Sequence, residues 1–335
     1  MHTYFYRIYG VVIASEFPLT SVHEPVASSM PADIEIKVDT PAFFQGLALG
    51  FSKQVGEGLH HVVLNDGRIY MRVDAVFEAI VSMDGKRVIC RKLADVDHRS
   101  FEANLMNFVM STSLTLQGEE PLHCTAVEMD GFAVGLLGHS GAGKSTLAGY
   151  LCSEGAQLLT DDLLRLKRIG SAWQAYPGPY RLKLFAEPSR PFLSADLEDG
   201  HFNVLSNKMM IRPNRESRPS FLSVPLAALF HLGDGADYSE TVEISAVRLA
   251  GIEFARRIIS SAMENRYSAP TRLLRQIDFA ARLAESLPVY ELKYPRAFDR
   301  LSDVAAQIRT LVATSHAEEN LANVTGSPLS FSSGD

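Results

Sequence analysis

Apolar positions along the chain change their period twice. Through the first hundred residues they fall in short runs of aromatic and β-branched side chains, as in Tyr4–Ala14, or alternate with polar ones, as in Ile34, Ile36 and Val38. Asn65-Asp66-Gly67 separates the strand-like runs His60–Leu64 and Arg68–Val73, and Met83-Asp84-Gly85 separates Ala79–Ser82 from Arg87–Arg91. Both read as hairpins. From Phe101 to Leu116 the period becomes helical, with Phe101, Leu105, Phe108, Val109 and Thr112 on one face and Gly118 as a stop signal.

Beyond Leu122, strands and helices mix. His123–Glu128 and Phe132–Leu137 read as strands joined at Met129-Asp130-Gly131, and the second is a continuous apolar run of the kind buried on both faces. Lys144–Ser153 reads as a helix, Gln157–Thr160 and Leu226–Leu232 as strands, and Arg248–Met263 and Arg272–Leu287 as helices. Val289–Lys293 is a further strand and Phe298–Val312 a last helix. The pattern predicts an α/β architecture. It divides the chain into a β-rich N-terminal domain at 1–100, a connecting helix at 101–118, an α/β domain at 119–314 and a disordered tail at 315–335, where Ser, Asn, Gly and Glu accumulate.

Composition narrows the class. The chain has 335 residues, 46% hydrophobic and 21% charged, enough apolar surface to exclude global disorder. Its formal net charge of −7 is the wrong sign for a nucleic-acid-binding surface, though it leaves room for a local anion site. Cys90, Cys124 and Cys152 are scattered and form no CxxC pair, so they predict structural thiols in a reducing compartment. No signal peptide is evident, and no window approaches the ~18 apolar residues of a membrane span. The expectation is a cytoplasmic protein without membrane partners.

One segment carries chemistry. Gly138-His139-Ser140-Gly141-Ala142-Gly143-Lys144-Ser145 satisfies GxxxxGK[ST] in full, and Thr146 follows. It leaves an apolar strand at Leu137 and enters a helix without proline, which is the context the motif requires. Glycines let successive N–H groups turn inward toward phosphate oxygens, and the helix start adds its unpaired donors. Lys144 would then bridge phosphates, and the Ser145 hydroxyl would coordinate Mg²⁺.

Asp161-Asp162 ends the apolar run Gln157–Thr160, the usual place for the metal carboxylate of such a site. In an extended strand, neighbouring carboxylates point to opposite sides, so one can serve the metal and the other the acceptor. Pairing of the two strands joined at Met129-Asp130-Gly131 brings His123 to the phosphates, and an imidazole of pKa about 6.5 can donate a proton there. Arg181 and Lys183, two apart in an extended segment, can neutralise charge on a transferring phosphoryl group or form a solvated face. Lys208 and Arg212 are weaker candidates for a loop over the site.

His123, the loop at 138–145 and Leu158-Leu159-Thr160-Asp161-Asp162 together resemble the C-terminal catalytic domain of HPr kinase/phosphorylase. The resemblance covers about residues 120–185 closely and 225–312 in layout. It implies the phosphoenolpyruvate carboxykinase-like kinase fold, with ATP and Mg²⁺ as cofactors and a serine hydroxyl of a protein or peptide as acceptor. It implies Asp161 as the base, Asp162 as its assistant or, with Ser145, as a metal holder, and His123 as a contact to the phosphates; Lys144 and Arg181, read from the residues themselves, are further catalytic candidates. A homo-oligomer is implied as well. The basic-glycine signature that follows the aspartates in that family is not evident here. The chain looks more like the related kinases found beside peptide-maturation genes, such as those acting on a lasso-peptide precursor. Two other readings remain open: a nucleotide-binding regulator that transfers no phosphate, and a small-molecule kinase.

Overall fold

The computed structural model describes residues 2–20, 24–48, 58–93, 96–203, 206–213, 222–233, 243–264, 267 and 269–325. Its first sheet has seven strands: β1 (Tyr4–Ile8), β2 (Val11–Ser15), β3 (Ile34–Val38), β4 (Leu59–Val63), β5 (Ile69–Val73), β6 (Phe77–Val81) and β7 (Arg87–Lys92), in the order β1-β2-β3-β7-β6-β5-β4. Both hairpins read from the sequence are present: β4 pairs antiparallel with β5, and β6 with β7. A third hairpin joins β1 to β2 through Tyr9 and Gly10, both at positive φ (54° and 70°). Two consecutive left-handed residues are what a tight turn between twisted strands requires. A short helix, α1 (Pro41–Ala48), follows β3.

The helix expected at 101–118 begins earlier and is not uniform. α2 (His98–Asn104) is capped by Asp97, whose carboxylate accepts from Ser100 N at 2.9 Å. A π-turn (Leu105–Val109) follows, then α3 (Met110–Leu116). Phe101, Leu105, Met106, Val109, Met110 and Leu114 pack into one buried cluster with Ile13, Ile34, Phe77 and Val88 of the first sheet. The segment therefore belongs to the first core and is more than a connection.

The second sheet centres on β8 (Leu122–Met129), β9 (Phe132–Leu137), β10 (Gln157–Thr160), β11 (Leu163–Ile169), β12 (Ala172–Tyr176), β16 (Val224–Leu232), β17 (Ser245–Arg248) and β18 (Val289–Lys293). β8 and β9 pair antiparallel across the Asp130-Gly131 turn, while β16 runs parallel to both β9 and β18. A separate three-stranded sheet orders β13 (Leu182–Leu184), β15 (Lys208–Ile211) and β14 (His201–Asn203). β11 and β12 were not foreseen: the aspartates end one strand, and the chain bends straight into another.

Period-two alternation sends side chains to two helical layers. Val127, Val134 and Leu136 face α4 (Lys144–Ser153), α5 (Ala186–Glu198) and α8 (Leu301–Thr325). Cys124, Ala126, Ala133 and Leu137 face α6 (Gly251–Ser261) and α7 (Pro270–Ala284). All three cysteines are free and buried. α8 runs on to Thr325, past residue 315 where the tail was expected to begin, through a stretch that holds the strong helix formers Ala317, Glu318, Glu319, Leu321 and Ala322. Residues 326–335 of that expected tail lie outside the described residues.

The two sheets meet at the β1–β2 turn. Tyr9 N donates to Pro177 O at 2.8 Å, and Arg165 Nη1 donates to Tyr9 O at 2.7 Å. Arg165 grips both carboxylate oxygens of Glu119, at 2.5 and 2.6 Å, and its guanidinium lies 4.9 Å from the centre of the Tyr176 ring. A Cβ on Gly10 would stand 2.1 Å from that ring. Replacing Gly10 by Ala combines this overlap with a left-handed backbone, so Gly10→Ala is expected to cost about 2 kcal/mol or more in denaturant unfolding. An unchanged midpoint would show that the turn is not seated as described.

Candidate active site

The glycine-rich residues 138–145 run from the end of β9 into α4 with positive φ at Gly138 (140°), Gly141 (84°) and Gly143 (96°). Two of these positions admit only glycine. A Cβ on Gly138 would approach Ala142 Cβ to 3.0 Å and Leu232 O to 3.1 Å, and one on Gly143 would lie 3.1 Å from Tyr294 Oη. His139, Ser140 and Gly141 are exposed and Ser145 and Thr146 half-buried, so the loop is open to a ligand along one side.

Lys144 is buried within the loop. Its ammonium donates to Gly138 O (2.8 Å) and His139 O (3.1 Å) and meets His123 Nε2 at 3.1 Å. The register that opposes Cys124 to Leu137 carries His123 alongside the loop's first residue, as the hairpin predicted. The other ring nitrogen of His123, Nδ1, lies 3.1 Å from Asp162 O. Those partners fit one tautomer, with Nδ1–H donating to the carbonyl and Nε2 accepting from the ammonium. Burial, and then the Lys144 charge, push the His123 pKa down to about 4. In this arrangement His123 meets the Lys144 ammonium as an acceptor, at the place beside the loop where it was expected to reach the phosphates. Burial also lowers the Lys144 pKa, against the nearby aspartates that raise it.

The two aspartates stand in different surroundings. Asp161 Oδ1 accepts from Thr125 Oγ1 (2.7 Å) and lies 3.4 Å from Ser145 Oγ, and its Oδ2 accepts from Lys183 N at 2.8 Å. Burial and the neighbouring Asp162 charge raise its pKa. Asp162 has φ of 70°, so the chain is bent rather than extended and its carboxylate turns to Lys183 Nζ. Burial alone would raise its pKa, but the Lys183 charge overrides this and holds it down to about 2.

This arrangement redistributes several expected roles. The pair brought together is Ser145 with Asp161, not Ser145 with Asp162, because the left-handed residue at 162 swings its side chain away. Arg181, expected at the phosphoryl group, is buried with Nη2 on Ala103 O at 2.9 Å, and acts on Asp162 by its charge through space. Lys183 is engaged by both aspartates, through its N–H and its ammonium. Lys208 sits 5.3 Å from the centre of the Phe185 ring, close enough for its charge to lower the Lys144 pKa. Arg212 turns away to Thr20 O at 3.1 Å. Sequence reading missed Thr125, although its place two residues after His123 puts both on one face of β8. It also missed Tyr9, whose buried phenol donates to Met106 O at 3.1 Å near both aspartates.

No protein-family model matches the chain, and no curated protein does. Among solved structures, the chain is similar to the Hpr(Ser) kinase/phosphatase from Coxiella burnetii, at 14% identity over 60% of this chain and 98% of that one, with a TM-score of 0.31. No helix among the described residues is long and apolar enough to cross a membrane.

The depressed His123 pKa has a direct consequence. Between about 6.5 unfolded and about 4 folded, the unfolded chain binds the extra proton, so the fold loses stability as pH falls through that window. Denaturant titrations at pH 7 and pH 4.5 are expected to show a smaller acid-induced loss in His123→Gln than in the parent protein. Equal losses would mean that His123 is not held neutral.

Proposed function

We propose that this protein is an ATP- and Mg²⁺-dependent kinase that phosphorylates a serine hydroxyl on a protein or peptide. The observation that carries the reading is a glycine-rich loop whose Ser145 faces Asp161, a buried carboxylate beside the half-buried Asp162, with their pKa values pushed in opposite directions.

The residues fit the nucleotide and its metal. The glycine conformations leave the loop backbone accessible to phosphate oxygens, and Lys144 provides a point charge at its centre. The Ser145 hydroxyl is a hard oxygen donor, which suits Mg²⁺ with its remaining positions filled by phosphate and water. When bound, the metal supplies positive charge against the transferring group. In this reading Ser145 holds it, and Asp162 remains the ionised partner of Lys183.

Asp161 is the group suited to take the proton of the acceptor hydroxyl. Split environments assign acid–base roles: the carboxylate whose pKa is raised toward neutrality accepts the proton, and the one held low stays charged. Lys144 leaves its carbonyl partners for the phosphates and stabilises charge during in-line transfer. His123, neutral and bonded to Asp162 O, steers the Lys144 ammonium. Lys183 keeps the two carboxylates together without mutual repulsion driving one out.

Incubation with labelled ATP and candidate serine acceptors tests the reading. Asp161→Asn is expected to lower transfer about 100-fold or more while retaining nucleotide binding. Lys144→Ala is expected to weaken both. Transfer at the parent rate in Asp161→Asn would refute the assignment. Lys183→Met removes the charge that lowers both carboxylates, so the acid limb of the pH–rate profile is expected to move to higher pH. A limb that stays in place would detach Lys183 from the pair.

A further inference from the structure

Thr125 lies in the middle of β8, fully buried, on the face it shares with Val127, which packs in the core against α4. Its backbone neighbour across the strand pair is Leu136, in the same core. Nothing about the packing of this face asks for a hydroxyl, and a valine of nearly the same shape would fill the space. A hydroxyl in such surroundings is costly unless it is hydrogen-bonded. Its partner is Asp161 Oδ1, at 2.7 Å.

The two oxygens of Asp161 are held differently. Oδ2 takes the main-chain N–H of Lys183, which no substitution at that side chain removes. Oδ1 takes Thr125 at 2.7 Å and Ser145 at 3.4 Å. Donors from β8 and β13 therefore grip the carboxylate at both ends and fix its plane, and the Ser145 contact sets which lone pairs of Oδ1 stay open beside the phosphate loop. Ser145 would be drawn into the metal shell in the working enzyme, which leaves Thr125 as the side chain that holds Oδ1 during transfer.

We propose that Thr125 is a positioning residue for Asp161: its hydroxyl fixes the carboxylate in the rotamer that faces the acceptor. The inference rests on the kinase reading and adds a residue to it. Thr125 touches neither nucleotide nor acceptor, so its effect belongs in turnover and not in nucleotide affinity.

The test compares Thr125→Val with Thr125→Ser in the full chain. ATP hydrolysis, with water as the acceptor, gives kcat and KM, and fluorescent-nucleotide binding and thermal unfolding are measured alongside. Thr125→Val keeps shape and loses the donor; it is expected to lower kcat about tenfold or more with nucleotide affinity unchanged. Thr125→Ser keeps the donor and loses a methyl; it is expected to recover most of that loss. Thr125→Val leaves a buried carboxylate short of a donor and Thr125→Ser leaves a small cavity, so both are expected to unfold below the parent, and a packing role alone would lower kcat in both alike. The proposal is overturned if Thr125→Val turns over like the parent, or if Thr125→Ser loses as much kcat as Thr125→Val. If Asp161→Asn also hydrolyses ATP at the parent rate, the kinase reading has failed. If Asp161→Asn is impaired while Thr125→Val is not, only the positioning role has.

Discussion

Two carboxylates on adjacent residues, one buried and the other half-buried, are the constraint around which the candidate site of this protein is built. Like charges at that separation cannot both be ionised without compensation. The fold answers with donors brought from separate elements: the Thr125 hydroxyl from β8, the main-chain N–H and ammonium of Lys183 from β13, and the Arg181 charge ahead of it. The left-handed bend at Asp162 completes the answer by turning the two side chains toward different partners. What results is not two equivalent acids but one raised and one lowered, and that inequality is what acid–base chemistry uses.

The same constraint explains why the N-terminal sheet cannot be treated as an appendage. Its β1–β2 turn places Tyr9 behind the aspartates, and the turn is fastened from both sides, by Pro177 and by the Glu119-bound Arg165. Arg181 is held by a carbonyl of α2, which packs on that first sheet. A second set of buried ion pairs, Glu120 with Arg272 and Arg275, ties the segment entering β8 to α7. Removing one partner of such a buried pair strands the other charge, so the junction is sensitive to single losses. Arg181, one of the charges acting on Asp162, is therefore oriented by a contact made 78 residues away in sequence.

The loop itself follows local rules. Gly138 and Gly143 sit where a side chain would press on Ala142, Leu232 or Tyr294, Gly141 has a left-handed backbone in open space, and the lysine is satisfied by carbonyls of its own loop. Lys144 and His123 hold each other, with the imidazole nitrogen 3.1 Å from the ammonium.

Much of this was legible in the chain itself. The apolar runs, the Asp-Gly turn at 130–131 and the glycine spacing determined strand, loop and helix, because each depends on backbone preferences of a few consecutive residues. The pairing of His123 with the loop followed from that turn alone. The continuation of α8 past 315 was hidden by a polar composition, although helix formers were present. Tertiary structure alone decided which aspartate meets Ser145, that Arg181 serves a carbonyl in α2, and that burial and Lys144 push the His123 pKa down. It also alone decided that Thr125, an ordinary strand residue by pattern, holds Asp161. The reason is physical. Secondary structure depends on neighbours in sequence, whereas the charge state and direction of a buried polar group depend on burial and on donors from distant elements, which no local pattern records.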